Sequence, residues 1–277
     1  MKVVLKIPEE RHNYAKHSHL TEFLLLGTIL LGALFLVYAI SGVIVSKCVQ
    51  YIPQESERRL FSRLSEAFAP KENPAVTQEA QTLLDRMLRV TPEIKIPIRI
   101  SVITQSEANA AAFPGGLIVI TDKLLNRAKS ENEISMVIAH ELGHFKLRHH
   151  LRGFGRGIVL LGLFIAFGGE PEAENMLSPS TKLLDLSFSR EDETAADEYA
   201  LEVMNRTYGH VGGATDFFRE TAKFELNLPG AKYSSTHPPS SERVKTLQQL
   251  IADRGYQMLA TSKKSAAFEA QVSPSSN

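Results

Sequence analysis

The chain has 277 residues, with 31 Lys and Arg against 31 Asp and Glu, 43% hydrophobic residues and one Cys. That length suggests one or two domains, and a charged fraction of 22% is ordinary for a globular protein rather than a disordered one. Zero formal net charge argues against nucleic-acid binding through overall charge, and a single cysteine excludes an intramolecular disulfide framework or a multi-cysteine zinc knuckle.

Residues 1–22 form a leader carrying Lys2, Lys6, Arg11 and Lys16. Residues Phe23 to Val45, FLLLGTILLGALFLVYAISGVIV, then run without a charge. At about 1.5 Å per residue this helix reaches roughly 34 Å, enough to cross a hydrocarbon core of about 30 Å. The run is too long for the apolar part of a signal peptide, so it reads as an uncleaved transmembrane anchor. Lys47, Arg58, Arg59 and Arg63 on its far side balance the leader's positive charges, so both orientations stay open.

Beyond the anchor, 54–69 is helical in pattern, with Leu60, Leu64 and Phe68 spaced by four. Residues 75–90 repeat the pattern with Ala80, Leu83, Leu84, Met87 and Leu88. After Pro92 and Pro97, the alternation of Ile98, Ile100 and Val102 predicts a half-buried strand. Leu117 to Ile120, following Pro114-Gly115-Gly116, is a second short apolar run, and helical pattern dominates thereafter. The fold class is a mainly helical α+β domain with a small sheet over 46–260. A Ser-, Ala- and Lys-rich segment, 261–277, is expected to be a disordered tail.

Ser130-Glu131-Asn132-Glu133 fits a capping box, so a helix should start there. That helix reads His140-Glu141-Leu142-Gly143-His144. Histidines at i and i+4 lie about 40° apart around a helix and about 6 Å apart along it, so both imidazoles can reach one metal ion. Glu141 points about 100° away, where it can address a water without crowding the ligands. A zinc site of this kind needs a third protein ligand and an open fourth position. Glu193 supplies the best candidate, with Asp197 one turn later positioned to accept a hydrogen bond from a ligand histidine. Ala196 and Ala200 are small enough to let this second helix approach the first.

His140-Glu141-Leu142-Gly143-His144, Ser189-Arg190-x-x-Glu193-x-x-x-Asp197 and Thr236-His237-Pro238-Pro239-Ser240-Ser241-Glu242-Arg243 together resemble the gluzincin metalloendopeptidases of peptidase family M48, which includes HtpX and the CAAX prenyl proteases. The match runs with gaps from about Leu83 to Leu250. The resemblance implies a zincin-like domain, zinc as the metal, His140, His144 and Glu193 as its ligands, Glu141 as general base, and hydrolysis of a polypeptide substrate. It also implies that His237 lies near the active site and helps stabilise the oxyanion. A second reading has His237 occupying zinc's open position and keeping the enzyme latent. Arg243 either serves the site or pairs with an acidic neighbour. Asn109, Ala110 and Ala111 resemble the stretch before the family's active-site edge strand, where an extended peptide could add as a further strand. The family more often has an aromatic where this chain has Ala111.

Lys146, Arg148, Arg152 and Arg156 precede a second apolar run, Ile158 to Phe167. It is too short to span a bilayer and is expected to be a buried or interfacial helix. The expected function is a single-pass membrane metalloendopeptidase in quality control or processing of membrane or envelope proteins, on the extracytoplasmic side by analogy. The lipid bilayer and a polypeptide substrate are its expected partners. The rivals are a membrane-anchored, chaperone-like binding module with a structural zinc, and a prenyl-protein processing enzyme, which would call for several spanning helices.

Overall fold

The computed structural model describes residues 19–67, 74–166, 168, 188–227 and 240–269. The leader up to residue 18, Phe68, Phe167, His237 and the chain's end from residue 270 lie outside them. Helix α1 (His19–Tyr51) contains the expected span and continues beyond it at both ends. Among the described residues it is the one helix long and apolar enough to cross a membrane. Its apolar side chains are exposed, except along a stripe from Leu34 through Ser41, Gly42 and Val45 to Val49. Helix α2 (Gln54–Ala67) follows. Among its described side chains it buries Glu57, while Leu60 is 69% exposed. Leu60 therefore does not lie on a packed face, and the side chains of Leu64 and Phe68 lie outside the described residues.

Helix α3 (Pro74–Leu88) opens on a proline, whose missing N–H costs nothing in a first turn. It buries Val76, Ala80, Leu83, Leu84 and Met87, close to the expected face. Strands β1 (Arg99–Ile103), β2 (Ala110–Phe113) and β3 (Leu117–Thr121) form a sheet of order β1-β3-β2. β1 pairs with β3 in parallel, and β2 with β3 antiparallel. The β2–β3 turn uses Gly115 and Gly116 at φ of 90° and 88°, a region that side chains with a Cβ resist. β1 is not half-buried as its alternation predicts. Ile100 and Val102 join the main core, while Ile103 packs with Phe113, Leu117 and Val119 in a smaller cluster. Apolar residues thus occupy both faces of the sheet.

Helices α4 (Asp122–Arg127) and α5 (Glu131–Lys146) come next. Arg148, at φ 59°, then breaks the chain's direction before α6 (His149–Ala166). Helix α6 runs back along α1. Arg148 Nη1 donates to the Val49 and Ile52 carbonyls at the end of α1, and Gly155 lies against Val45. Only its first turns are buried, at His149, His150, Leu151 and Gly153. Ile158, Leu160, Phe164 and Ile165 are about half exposed, so the second half of α6 is not a buried core helix.

Helices α7 (Arg190–Tyr208), α8 (Asp216–Asn227) and α9 (Ser240–Asp253) complete the framework. The expected disordered tail is corrected over 261–269. Ser262 bonds Glu131 and Asn132 at the start of α5, and helix α10 (Ala266–Glu269) buries Phe268 completely. One aromatic side chain filling a core site outweighs the segment's polar composition. At the centre, α5 packs on α7. A Cβ on Gly143 would lie 2.8 Å from the Ala196 carbonyl oxygen, so glycine is what lets the two helices meet. Ala196 and Ala200 are fully buried there, as their size predicts.

Candidate metal centre

Helix α5 starts where the capping box predicts. Ser130 Oγ accepts from the Glu133 N–H at 3.2 Å, and Glu133 reaches back to the Lys129 N–H at 3.1 Å. Nearly every residue of α5 is buried, including His140, Glu141 and His144. Helix α7 is capped by Ser189 Oγ on the Asp192 N–H at 3.1 Å, and buries Glu193 and Asp197. The two helices bring ligand atoms of His140, His144 and Glu193 within 4.8 Å of one another. The two histidine Nε2 atoms face each other at 2.9 Å. Glu193 Oε2 lies 3.4 Å from the first and Oε1 3.3 Å from the second.

Asp197 Oδ1 accepts from His140 Nδ1 at 2.9 Å. A carboxylate only accepts, so the neutral imidazole of His140, the form that binds a metal, would carry its proton on Nδ1 and present its Nε2 lone pair to the ligand cluster. Arg243, on α9, donates through Nε to Asp197 Oδ2 at 2.8 Å and through Nη2 to Oδ1 at 2.7 Å. Its Nη1 lies 3.3 Å from Glu193 Oε2, and its guanidinium stacks 4.0 Å over the Phe218 ring. Of the two sequence readings for Arg243, pairing with an acidic neighbour holds, and that neighbour belongs to the site.

Burial and the Arg243 charge oppose protonation of His140, but Glu193 and Asp197 outweigh them, and its pKa is pushed up to about 9. Burial would raise the Asp197 carboxyl, yet Arg243 and the His140 hydrogen bond hold it below the usual range. The cluster therefore attracts positive charge. Two imidazole nitrogens and a carboxylate oxygen, all buried and convergent, fit a zinc ion with a further position open to substrate or water.

His144 has a different environment, which the sequence did not signal. Phe188 stacks on its ring at 4.1 Å. Its Nδ1 lies 2.9 Å from His149 Nδ1. Burial pushes His149 down to about 4, so its imidazole is neutral at pH 7. His150 Nδ1 lies 3.1 Å from the His144 carbonyl, and its Nε2 2.8 Å from Glu57 Oε1. Glu57 also accepts from the Gly115 N–H at 3.3 Å. One buried carboxylate thus links α2, the helix start beyond the metal-ligand candidates and the β2–β3 turn.

Ala110 and Ala111 lie in β2, the sheet edge that packs on α5, and Asn109 directly precedes it. The Asn109 carbonyl accepts from the Thr121 N–H. Antiparallel alternation then points the backbone groups of Ala111 and Phe113 at β3, and those of Ala110 and Ala112 away from it. Asn109 Oδ1 caps the Ala110 N–H at 2.8 Å. His237 is outside the described residues; α9 begins three residues after it.

The profile of peptidase family M48 matches residues 70–251. Mitochondrial metalloendopeptidase OMA1 of Arabidopsis thaliana is 32% identical over 150 residues, covering 53% of this chain and 30% of that protein. Metalloprotease LoiP of Escherichia coli (strain K12) is 26% identical over 165 residues, 57% of this chain and 65% of that one. The beta-barrel assembly-enhancing protease of the same strain is 27% identical over 179 residues, covering 60% and 35% respectively. The chain therefore spans between 30% and 65% of the length of these relatives. The match of the family profile to most of the chain, through every helix and strand that carries the metal cluster, means that it belongs to peptidase family M48, a family of zinc metallopeptidases.

Proposed function

We propose that the chain is a membrane-anchored zinc metalloendopeptidase, and that it acts in quality control or processing of membrane or envelope proteins. The observation that carries this reading is the buried convergence of His140, His144 and Glu193 with Glu141 on the same helix. His140, His144 and Glu193 would hold zinc. When bound, the ion supplies Lewis-acid polarisation of the scissile carbonyl and acidifies a water. Glu141 takes the attacking water's proton and later delivers it to the leaving amine. Asp197 holds His140 in the tautomer that presents Nε2, and Arg243 holds Asp197. The Ala110 carbonyl and the backbone groups of Ala112 on the outer edge of β2 would bind an extended polypeptide as an added strand, with Asn109 and Ala111 in that stretch. His237 would donate to the developing oxyanion; its proximity follows from the resemblance alone.

Helix α1 is read as the anchor, and the exposed apolar half of α6 beside it as a surface resting against lipid. Lys47 and Arg156 lie where anionic headgroups would meet them. The relative named for enhancing beta-barrel assembly supports envelope-protein substrates, which an extracytoplasmic domain would meet. Protease protection of the chain's C-terminal end in sealed vesicles reads the orientation.

The test is Glu141→Gln in the detergent-solubilised full chain. The variant is expected to retain zinc and lose casein cleavage, and a chelator to abolish cleavage by the wild type. Equal cleavage by wild type and variant, both zinc-loaded, removes Glu141 from its role. Zinc retention with no cleavage of any protein by the wild type favours the chaperone-like module instead.

A further inference from the structure

We infer that His149 is a positioning residue for the metal ligand His144, an inference that rests on the zinc reading above. The ligand's own tautomer sets the requirement. His144 presents Nε2 to the cluster, so its proton sits on Nδ1 and needs an acceptor. His149 Nδ1 lies 2.9 Å away, in an environment where both rings are almost completely buried. An imidazole nitrogen accepts only when it is the unprotonated one, so the His149 proton sits on Nε2. That nitrogen lies 3.4 Å from Asp192 Oδ1, the acceptor such a proton requires. Arg152, one turn along α6, donates to the same oxygen at 2.6 Å and fixes the carboxylate. Asp192 is in the first turn of α7, directly before Glu193.

The chain of groups therefore runs from His144 through His149 to Asp192, and crosses from α5 through α6 to α7. The His144–His149 hydrogen bond and the 3.4 Å approach of His149 Nε2 to Asp192 are consistent with one proton arrangement. The two ligand histidines are held differently: His140 by a carboxylate, His144 by an imidazole with a carboxylate behind it. The backbone is strained to achieve this. Arg148, immediately before His149, adopts φ 59°, which a side chain with a Cβ resists, and its guanidinium is bonded to the end of α1. Phe188 stacks on one face of the His144 ring, so the hydrogen bond at Nδ1 fixes its rotation in the plane.

Two substitutions separate this role from simple packing. His149→Asn keeps an acceptor oxygen where Nδ1 stood; His149→Gln carries its polar atoms one bond further, where they can meet Asp192 but not His144. Zinc affinity is measured by competition with a chelator on the detergent-solubilised full chain, and folding by Tm after zinc removal. His149→Gln is expected to weaken zinc binding by about 10–100-fold, the usual loss when a partner of a ligand histidine goes. His149→Asn is expected to recover most of that loss, at equal zinc-free Tm. His149→Leu should weaken zinc binding as His149→Gln does. Equal zinc affinity for His149→Asn and His149→Gln, or wild-type affinity for His149→Gln, overturns the inference. His144→Ala is the separate control: if it binds zinc as the wild type does, the ligand assignment itself falls.

Discussion

Replacing Arg243 by Met removes a buried cation that touches both Asp197 and Glu193 while keeping much of the volume over Phe218. The contacts are 2.7 Å to Asp197 and 3.3 Å to Glu193. A unit-charge pair at about 3 Å is worth about 5 kcal/mol at an effective dielectric of about 20, before the cost of burying the charges. Taking one partner from a buried ion pair has a typical net cost of about 3–5 kcal/mol, because the carboxylates stay behind. For a chain of this size each kcal/mol lowers Tm by about 2–4 °C, so the zinc-free variant should melt roughly 6–20 °C below the wild type. A divalent ion beside Glu193 would replace the lost positive charge, so the deficit should shrink when zinc is present. By linkage, the variant must then bind zinc more tightly than the wild type, even as its activity falls. Thermal unfolding of the full chain in detergent, with chelator and with zinc, measures both quantities. A Tm loss of equal size in the two conditions would refute this reasoning and leave Arg243 as a side chain that packs on Phe218.

Gly143→Ala should destabilise, although alanine normally gains about 1 kcal/mol over glycine inside a helix. Its Cβ would meet Ala196 backbone atoms at 2.8 and 2.9 Å, so a loss of about 1–3 kcal/mol and reduced zinc content are expected, and a raised Tm would contradict the close-approach argument. Glu57→Gln tests the buried link to His150 through pH. Burial alone would raise the Glu57 carboxyl, but His150, the Gly115 N–H and Arg148 outweigh it and hold its pKa below 4.5. A carboxyl depressed in the folded state contributes stability that is fully present above 4.5 and is lost as pH falls through its lower folded value. The variant should therefore show a shallower fall of Tm below pH 4.5 in zinc-free protein, and identical acid slopes would remove Glu57 from that role.

The parts legible in the sequence are those set by one helix's geometry. His140 and His144 face the same point because any helix places i and i+4 together, and Glu193 and Asp197 share a face for the same reason. The helix start at Ser130 followed from local hydrogen bonding. Features made by packing between elements were not legible. Arg243 reaches Asp197 only because α9 lies over α7. Phe268 turns a polar segment into core because α3 and α4 leave room for it. The apolar half of α6 reads equally as a buried or an interfacial helix until α1 is found beside it with its own apolar side chains exposed.

His149 shows why even a near neighbour in sequence can be missed. In an unbroken helix, residue i+5 lies about 140° around the axis from residue i, pointing away from it. A histidine five positions beyond His144 therefore looks like an unrelated side chain. The left-handed residue Arg148 ends α5 and turns the backbone, so that the first residue of α6 comes back within 2.9 Å of the ligand it follows. Nothing in the residue type announces that turn, since arginine is not a residue that favours positive φ. What stabilises it is distant in sequence: the Val49 and Ile52 carbonyls at the end of α1. The placement of His149 beside His144 thus depends on where α1 ends, and a change at that junction should be felt first as a change in zinc affinity.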